Sequence, residues 1–436
     1  MTGDKRVAFI TLGCKVNTVE TEGMKRLFEK AGYRVVAEDE YADAYIVNTC
    51  TVTNMGDRKS RKMLRRVHGL NPQAVVAAVG CFAQVAPEEA AAIEGVSLVV
   101  GNNMKRDIVS LVEQAEPEHK GIYVRSRQDL SDFEELPVDT YTGYQRAFIK
   151  VQDGCDQFCS YCIIPYARGP VRSRMAEDII REAEGFARQG FKEIVLTGIC
   201  LTSFHDNRGG TDLMALAEDI ARIEGIERIR LGSLEPLHIS VDFINRAKAI
   251  PKLCPHFHIS MQSGCAETLK RMNRKYSPDD FRQIVKDLRA AIPDAAITTD
   301  VMVGFPGETD EEFRESIDFC DEMGFLWAHV FKYSPRKGTP AARFKDQVDP
   351  RVKEDRSRAM ILLAEKNREA FFRRFIGTEQ RVLFEHRITG SSGLMEGLTP
   401  QYITVETAFN PSGIGEIISV RLVEIHGERM RGERTD

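Results

Sequence analysis

The chain has no apolar stretch approaching the ~20 residues that cross a bilayer. Its start, "MTGDKRVAFITLGC", lacks the long apolar region and small-residue cleavage site of a secretory leader. A membrane-spanning or exported protein is therefore not expected, and the sequence reads as cytoplasmic. It has no excess of positive charge either. The net charge is −5 over 436 residues, so the whole molecule is not a basic nucleic-acid binder, and any such surface must be a local patch. Internal repeats and low-complexity tracts are missing too, which removes solenoids and compositionally biased linkers. What is present is ordinary for a globular protein, with 29% charged and 42% hydrophobic residues. The length allows two or three domains, each burying its own core. Ten cysteines in a cytosolic chain point to metal or redox chemistry, not to a disulfide framework.

One further absence is chemical. "GCDQFCSYC" (154–162) places Cys155, Cys159 and Cys162 close together, yet no fourth cysteine or histidine follows nearby. The next candidates, Cys200 and His205, lie a predicted helix and strand away. A closed zinc or iron–sulfur site wants four ligands.

Periodicity divides the chain. Short β-branched apolar runs at 6–13, 44–50, 74–81 and 97–101 alternate with helical patterns at 18–31, 56–68 and 87–94. This predicts a parallel-sheet α/β domain over 1–115. Residues 116–143 are polar and poorly periodic and read as a linker or wrapping segment. Over 144–376, strands are expected at 146–152, 193–200, 228–234, 256–262, 296–304 and 327–333. Helices are expected at 176–189, 212–224, 240–249, 277–291, 310–323 and 351–376. Six strand–helix units predict a partial (β/α)6 barrel, short of an eightfold closure. Residues 377–436 carry short strands and turns without a long helix and predict a small all-β barrel.

Ligands of parallel α/β folds sit at the carboxyl ends of the strands. Cys155 lies just past the first barrel strand, so the triad belongs over the barrel mouth. Three soft thiolates suit an iron–sulfur cluster, and three ligands on a four-iron cluster leave one iron open for a substrate. A structural zinc knuckle with a distant fourth ligand is the plain alternative. The CxxxCxxC spacing, with Tyr161 before the last cysteine, resembles the radical S-adenosylmethionine (SAM) superfamily. That resemblance implies that SAM chelates the open iron and is cleaved by an electron from the cluster to give a 5′-deoxyadenosyl radical. It also nominates Tyr161, Thr197, Gly198, Glu235, Gln262 and Asp300 as cofactor-binding residues, each otherwise readable as a satisfied polar group at a strand end.

Cys14, Cys50 and Cys81 each fall at the carboxyl end of a predicted parallel strand, so the fold would bring all three to one sheet edge. A lone buried cysteine is usually a small hydrophobe, and Cys254, Cys265 and Cys320 are read that way. Three at equivalent strand ends predict a second three-thiolate cluster.

The strings "TLGCKVNTVETEG", "NTCTVTN" and "GCFAQ" resemble the N-terminal domain of the methylthiotransferase family. "GCDQFCSYCIIPYARGPVRSR", "HISMQSGC", "DVMVGFPGET" and "YSPRKGTPAA" resemble its radical SAM domain, and the tail resembles the RNA-binding TRAM domain. Within the family, "GCKVN" and "NTCTVTN" are most similar to enzymes acting on N6-threonylcarbamoyladenosine in tRNA. The resemblance implies two [4Fe–4S] clusters, SAM both as methyl donor and as radical source, and transfer of a methylthio group to adenine C2. It implies a tRNA anticodon stem-loop as partner and a flavodoxin-like electron donor, with a monomer favoured. Cys200 departs from the family pattern, where a polar residue such as His or Asn is expected.

For RNA, the run "RKSRKMLRR" (58–66) nominates Arg58, Arg61, Lys62 and Arg65 as phosphate contacts, against the plainer reading of a solvated helix face. "GERMRGER" offers a late basic cluster, and the phenylalanines of "AFFRRF" are expected to pack the last barrel helix. A site selecting the threonylcarbamoyl carboxylate should contain Arg or Lys, and Arg168 and Arg172 are the candidates. The alternatives are an isopentenyladenosine substrate, a ribosomal-protein aspartate, or a non-catalytic RNA-binding protein with structural metal sites.

Overall fold

The structure is a computed structural model that describes residues 5–116, 119–206, 208–390 and 393–435. Its first body is an all-parallel sheet of β1 (Arg6–Thr11), β2 (Arg34–Val36), β3 (Ala44–Thr49), β4 (Val75–Gly80), β5 (Val96–Val100) and β6 (Gly121–Tyr123). The spatial order is β2-β1-β3-β4-β5-β6. Strand β3 is buried at every position, as a parallel strand covered on both faces must be. Tyr45 and Val47 enter the core on one face with Leu64 and Val67. Ala44 and Ile46 enter the other with Phe28 and Val79. Two short strands escaped the sequence reading. One of them, β6, falls in the expected linker and pairs with β5 from Leu98–Gly121 to Val100–Tyr123. Its side chains are half-buried or exposed, so no apolar pattern marked it.

The second body contains β7 (Arg146–Lys150), β8 (Gln152–Asp153), β9 (Arg172–Ser173), β10 (Glu193–Thr197), β11 (Arg228–Leu231), β12 (Ser233–Leu234), β13 (His256–Ile259), β14 (Ala296–Val303) and β15 (Trp327–Lys332). One sheet has the order β11-β10-β7, and a second, β12-β13-β14-β15, continues from it. No pairing joins β15 back to β7 among the described residues, which leaves the six-unit barrel open. The expected helices form, and their signals are local. Thr309 caps the helix Asp310–Met323 in a capping box with Glu312. The pair β8–β9 is an antiparallel clip that closes the base of the cysteine loop.

The third body is a closed barrel of β16 (Glu379–Arg387), β17 (Leu394–Leu398), β18 (Thr404–Ala408), β19 (Ile417–His426) and β20 (Arg429–Arg434), ordered β16-β17-β18-β20-β19. Phe371, Phe372 and Phe375 join its core with Val382, Phe384 and Val420, so the last barrel helix serves both bodies. Arginines dock the small barrel onto the starts of β7 and β11. Arg146 grips Glu385 with two hydrogen bonds. Arg228 donates to the Leu398 carbonyl, and Arg230 donates to those of Thr399 and Pro400.

Candidate functional site: two cysteine triads and one cavity

Strands β1, β3 and β4 are neighbours in the sheet, and a cysteine follows each at its carboxyl end. Cys14 follows a short turn, Cys50 follows Thr49 directly, and Cys81 follows Gly80 directly. The turn before Cys14 is tight. Gly13 has φ 106°, and a Cβ there would stand 3.0 Å from Cys50 Cβ, so glycine is what lets the two cysteine segments approach. Asn17 donates to the Leu12 carbonyl (2.7 Å) and the Thr49 carbonyl (3.2 Å), tying the ends of β1 and β3 together. Burial pushes the Cys50 thiol up to about 11 and raises Cys81, with neighbouring thiols adding to the rise and Arg168 opposing it. Such thiols stay protonated at neutral pH unless a bound cation displaces the proton.

The second triad lies in the loop above the β8–β9 clip. Gly154 has φ 78°, and a Cβ there would stand 1.8 Å from the Pro170 carbonyl oxygen. The Cys155 amide donates to the Gly169 carbonyl (3.1 Å), the Cys162 amide to Cys159 (2.9 Å), and the Ser160 amide to Met272 (2.9 Å). Arg274 donates to Cys159 Sγ at 3.2 Å and to both Glu235 oxygens at 2.8 and 2.9 Å. Glu235 is thus held to the cysteine loop through a guanidinium that the sequence reading missed. Tyr161 is half-buried, edge-on to Phe305 with ring centroids 6.4 Å apart. Cys200 stands beside Cys155. Their shared hydrogen bond pushes Cys155 up and draws Cys200 down to about 7. Gln152 Oε1 accepts from the Ile199 and Cys200 amides at 2.9 and 2.7 Å and fixes that thiol in place.

Both triads fit a polynuclear cluster. A mononuclear zinc site would need all its ligands on one ion. A four-iron cluster asks instead for one thiolate on each of three separate irons.

A cavity of about 650 Å3 lies between the bodies. Cys14 and Lys15 of the first body line it, with Thr197, Gly198, His256, His258, Asp300 and His329 of the barrel and Tyr402 of the third body. Three of the expected SAM contacts therefore share a chamber with a cysteine of the other triad. Gln262 contributes through its backbone, which at φ 72° bridges Asp300 and Met302. Thr298 Oγ1 joins His256 Nε2 and His258 Nδ1, each at 3.0 Å, and His258 Nε2 reaches Asp300 at 3.3 Å. Burial lowers the pKa of His256 and His329 below the usual imidazole range, which keeps both neutral. Burial lowers Lys15 as well, with Tyr402 opposing and Arg146 and Arg230 adding to the fall. Tyr402 enters the lumen at φ 73° and stacks on His256 at 4.6 Å. A tyrosine in this left-handed region is a strained backbone position of the kind found at functional sites.

The arginines expected to face substrate turn inward. Arg168 is fully buried and donates to Glu20 Oε1 (2.9 Å), Asp153 Oδ1 (3.2 Å) and Asn17 Oδ1 (2.6 Å). Arg172 is buried beneath the same loop, donating to the carbonyls of Leu130, Arg168 and Pro170. Neither side chain is placed to take a substrate carboxylate. The reason is the short helix Ile164–Arg168, which ends at Gly169 and returns the chain under the cysteines. In the basic helix Asn54–Leu70, Arg58, Lys62 and Arg65 are exposed. Arg61 is instead engaged by Glu89 at 2.6 Å and lies over the Phe82 ring. In the tail, Arg429 pairs with Glu396, and Arg431 pairs with Glu424 and Glu406, so most of the late basic cluster is neutralised.

Comparison with known proteins agrees with this arrangement. Residues 149–320 match the radical SAM superfamily, and residues 6–101 match the uncharacterized protein family UPF0004. The threonylcarbamoyladenosine tRNA methylthiotransferase of Bacillus subtilis is 40% identical over 96% of this chain and 94% of its own. The tRNA-2-methylthio-N(6)-dimethylallyladenosine synthase of Pelotomaculum thermopropionicum is 33% identical over 95% and 94%. Among solved structures, the radical S-adenosylmethionine methyltransferase TsrM of Kitasatospora setae shares the fold, with TM-score 0.56 and 16% identity over 78% of this chain and 77% of its own. Near-complete coverage at such identity, on top of two cysteine triads, means that the chain belongs to the methylthiotransferase family of radical SAM enzymes.

Proposed function

We propose that the protein is a tRNA methylthiotransferase that replaces the C2 hydrogen of N6-threonylcarbamoyladenosine, just 3′ of the anticodon, with a methylthio group. The observation that carries this reading is the shared cavity. Cys14 and the strand-end residues Thr197, Gly198 and Asp300 line one space, so a substrate base there would lie between a cysteine of the first triad and residues expected to hold SAM. The "CKVN" and "TVTN" strings, and the greater identity to a relative named for threonylcarbamoyladenosine than to one named for dimethylallyladenosine, favour this substrate.

Residues 1–115 would carry the second cluster on Cys14, Cys50 and Cys81. Residues 144–376 would carry the SAM-binding cluster on Cys155, Cys159 and Cys162, and 377–436 would contact RNA. When bound, the two [4Fe–4S] clusters and SAM supply the electron, the hydrogen-abstracting radical and the methylthio sulfur. The chain's own residues position and shield. Arg274 donates to Cys159 Sγ and offsets a thiolate there, while Glu235 holds Arg274 in place. The neutral imidazoles of His256 and His329 offer hydrogen bonds to a base without protonating it. The base must leave the anticodon-loop stack to enter, and loop nucleotides are the RNA bases most easily splayed out. Arg58, Lys62 and Arg65 would contact phosphates, and a flavodoxin-like protein would donate single electrons. The protein would act as a monomer in the cytoplasm.

The test offers reduced enzyme three anticodon stem-loops, carrying threonylcarbamoyl, isopentenyl or unmodified adenosine. Methylthiolation of the first alone is expected. Comparable rates on the isopentenyl or unmodified loop, or activity only on a ribosomal protein, would refute the assignment.

A further inference from the structure

Lys15 is a cation facing the cavity with no acid beside it. Among the described residues no carboxylate lies within ion-pair distance of its ammonium, which faces the Tyr402 ring at 5.9 Å. Two other cations converge on the same ring, Arg146 at 5.8 Å and Arg230 at 4.9 Å. Those two have partners. Arg230 is 2.7 Å from Glu193, and Arg146 is 2.7 Å from Glu385. Arg228 lies 3.7 Å from the same Glu193. Three arginines near Tyr402 thus share two carboxylates, Glu193 and Glu385, whereas Lys15 has neither and lines the chamber, where the one carboxylate among the described residues, Asp300, is engaged by His258. A lysine that lines a chamber without an acid partner of its own is completed by a bound anion. Lys15 also directly follows Cys14, so that anion would lie next to the triad assigned to sulfur.

We propose that Lys15 receives the carboxylate of the substrate's N6 substituent in the barrel lumen, over Tyr402, and so sets the enzyme's preference for an acidic adenosine modification. This rests on the substrate reading above. The carboxylate gains a charge-assisted hydrogen bond. An adenosine whose substituent is uncharged would cover the ammonium without supplying a counterion, which is how a polar site rejects an analogue. The lumen position argues against a backbone phosphate as the anion, because the ribose–phosphate chain has to stay outside the barrel for a base to enter. The carboxylate of SAM has the same chemistry and is separated by experiment.

The experiment uses cluster-loaded enzyme and two anticodon stem-loops, one with the free threonylcarbamoyl acid and one with its methyl ester. Dissociation constants and kcat/KM are measured for wild type, Lys15→Gln and Lys15→Arg. Wild type should prefer the acid about 10- to 100-fold, the range of one charge-assisted hydrogen bond. Lys15→Gln should bring the ratio near one, and Lys15→Arg should restore most of it. A wild-type enzyme indifferent to esterification overturns the proposal, even if Lys15→Gln fails to fold. So does a Lys15→Gln enzyme that keeps the wild-type ratio, or one that loses affinity for SAM measured without RNA. Wild type that modifies the isopentenyl loop and neither of these two would refute the substrate reading itself, a result distinguishable from the others.

Discussion

Replacing Arg168 by methionine tests the join between the two cluster-bearing bodies. The guanidinium is fully buried and spans from Glu20 (2.9 Å) on the first body to Asp153 (3.2 Å) on the barrel. Methionine keeps much of the length and removes the charge. Breaking a buried ion pair on one side costs about 3–5 kcal/mol. Here Lys150 remains 2.8 Å from Glu20 and 2.7 Å from Asp153, and Lys105 remains 3.2 Å from Glu20, so the carboxylates stay partly compensated. The lower end applies, about 3 kcal/mol, or roughly 150-fold in the docking equilibrium. Backbone hydrogen exchange in the helix Lys15–Lys30, which carries Glu20, should lose protection by about that factor. Adding Glu20→Gln to Arg168→Met should return part of the loss, because it removes the orphaned charge, and the two substitutions should therefore be non-additive. A loss of protection below about threefold, or strict additivity in the double variant, would show that the network does not hold the bodies together.

Three further outcomes are expected. Reconstituted enzyme should bind about eight irons. Changing Cys155, Cys159 and Cys162 to Ala should halve that number and abolish 5′-deoxyadenosine formation, whereas changing Cys14, Cys50 and Cys81 should halve it while sparing some SAM cleavage. Full iron content in the latter variant would refute the second cluster. Charge reversal of Arg58, Lys62 and Arg65 should shrink the slope of log affinity for tRNA against log salt by about 0.7–0.9 per lost contact, whereas Arg61→Ala, removing an arginine that Glu89 already engages, should leave the slope nearly unchanged. Equal slopes throughout would mean a merely solvated face. Burial alone would raise the Glu193 carboxyl, but Arg230 and Arg146 hold it down to about 2. A depressed carboxyl stabilises above its unfolded value and loses that contribution as pH falls through the folded one. The small barrel's docking should therefore be intact above about pH 4.5 and weaken toward pH 2. The single tryptophan, Trp327, which packs against the small barrel's core, should report this by fluorescence. Glu193→Gln should abolish that pH dependence, and a variant that kept it would refute the assignment.

What could be read in advance was whatever is encoded locally. The cysteines of 155–162 announce themselves by spacing, and Cys14, Cys50 and Cys81 by their place after β-branched runs. Capping at Thr309 is written in "TDEE". Arg274, His256 and Tyr402 had no such signal. They come from three distant segments and acquire meaning only when Arg274 meets Cys159 and Tyr402 stacks on His256. Arg168 and Arg172 were misread because proximity in sequence to the SAM-cluster cysteines does not fix direction. The chain doubles back at Gly169, and both side chains end beneath the loop. Lys15 stood inside "GCKVN" from the outset, but the string does not say that its ammonium enters the neighbouring barrel.

The buried charges between the first body and the barrel also limit how such proteins can be recombined. Glu20 and Lys105 belong to one body, and Lys150, Asp153 and Arg168 to the other. A chimera grafting the first body, through β6, onto a foreign barrel keeps its own sheet and still presents Glu20 to a surface that has no matching guanidinium. The join then fails although both halves fold, since a buried carboxylate without its partner costs several kcal/mol. Exchange of parts within this architecture therefore has to move the acid and the arginine together.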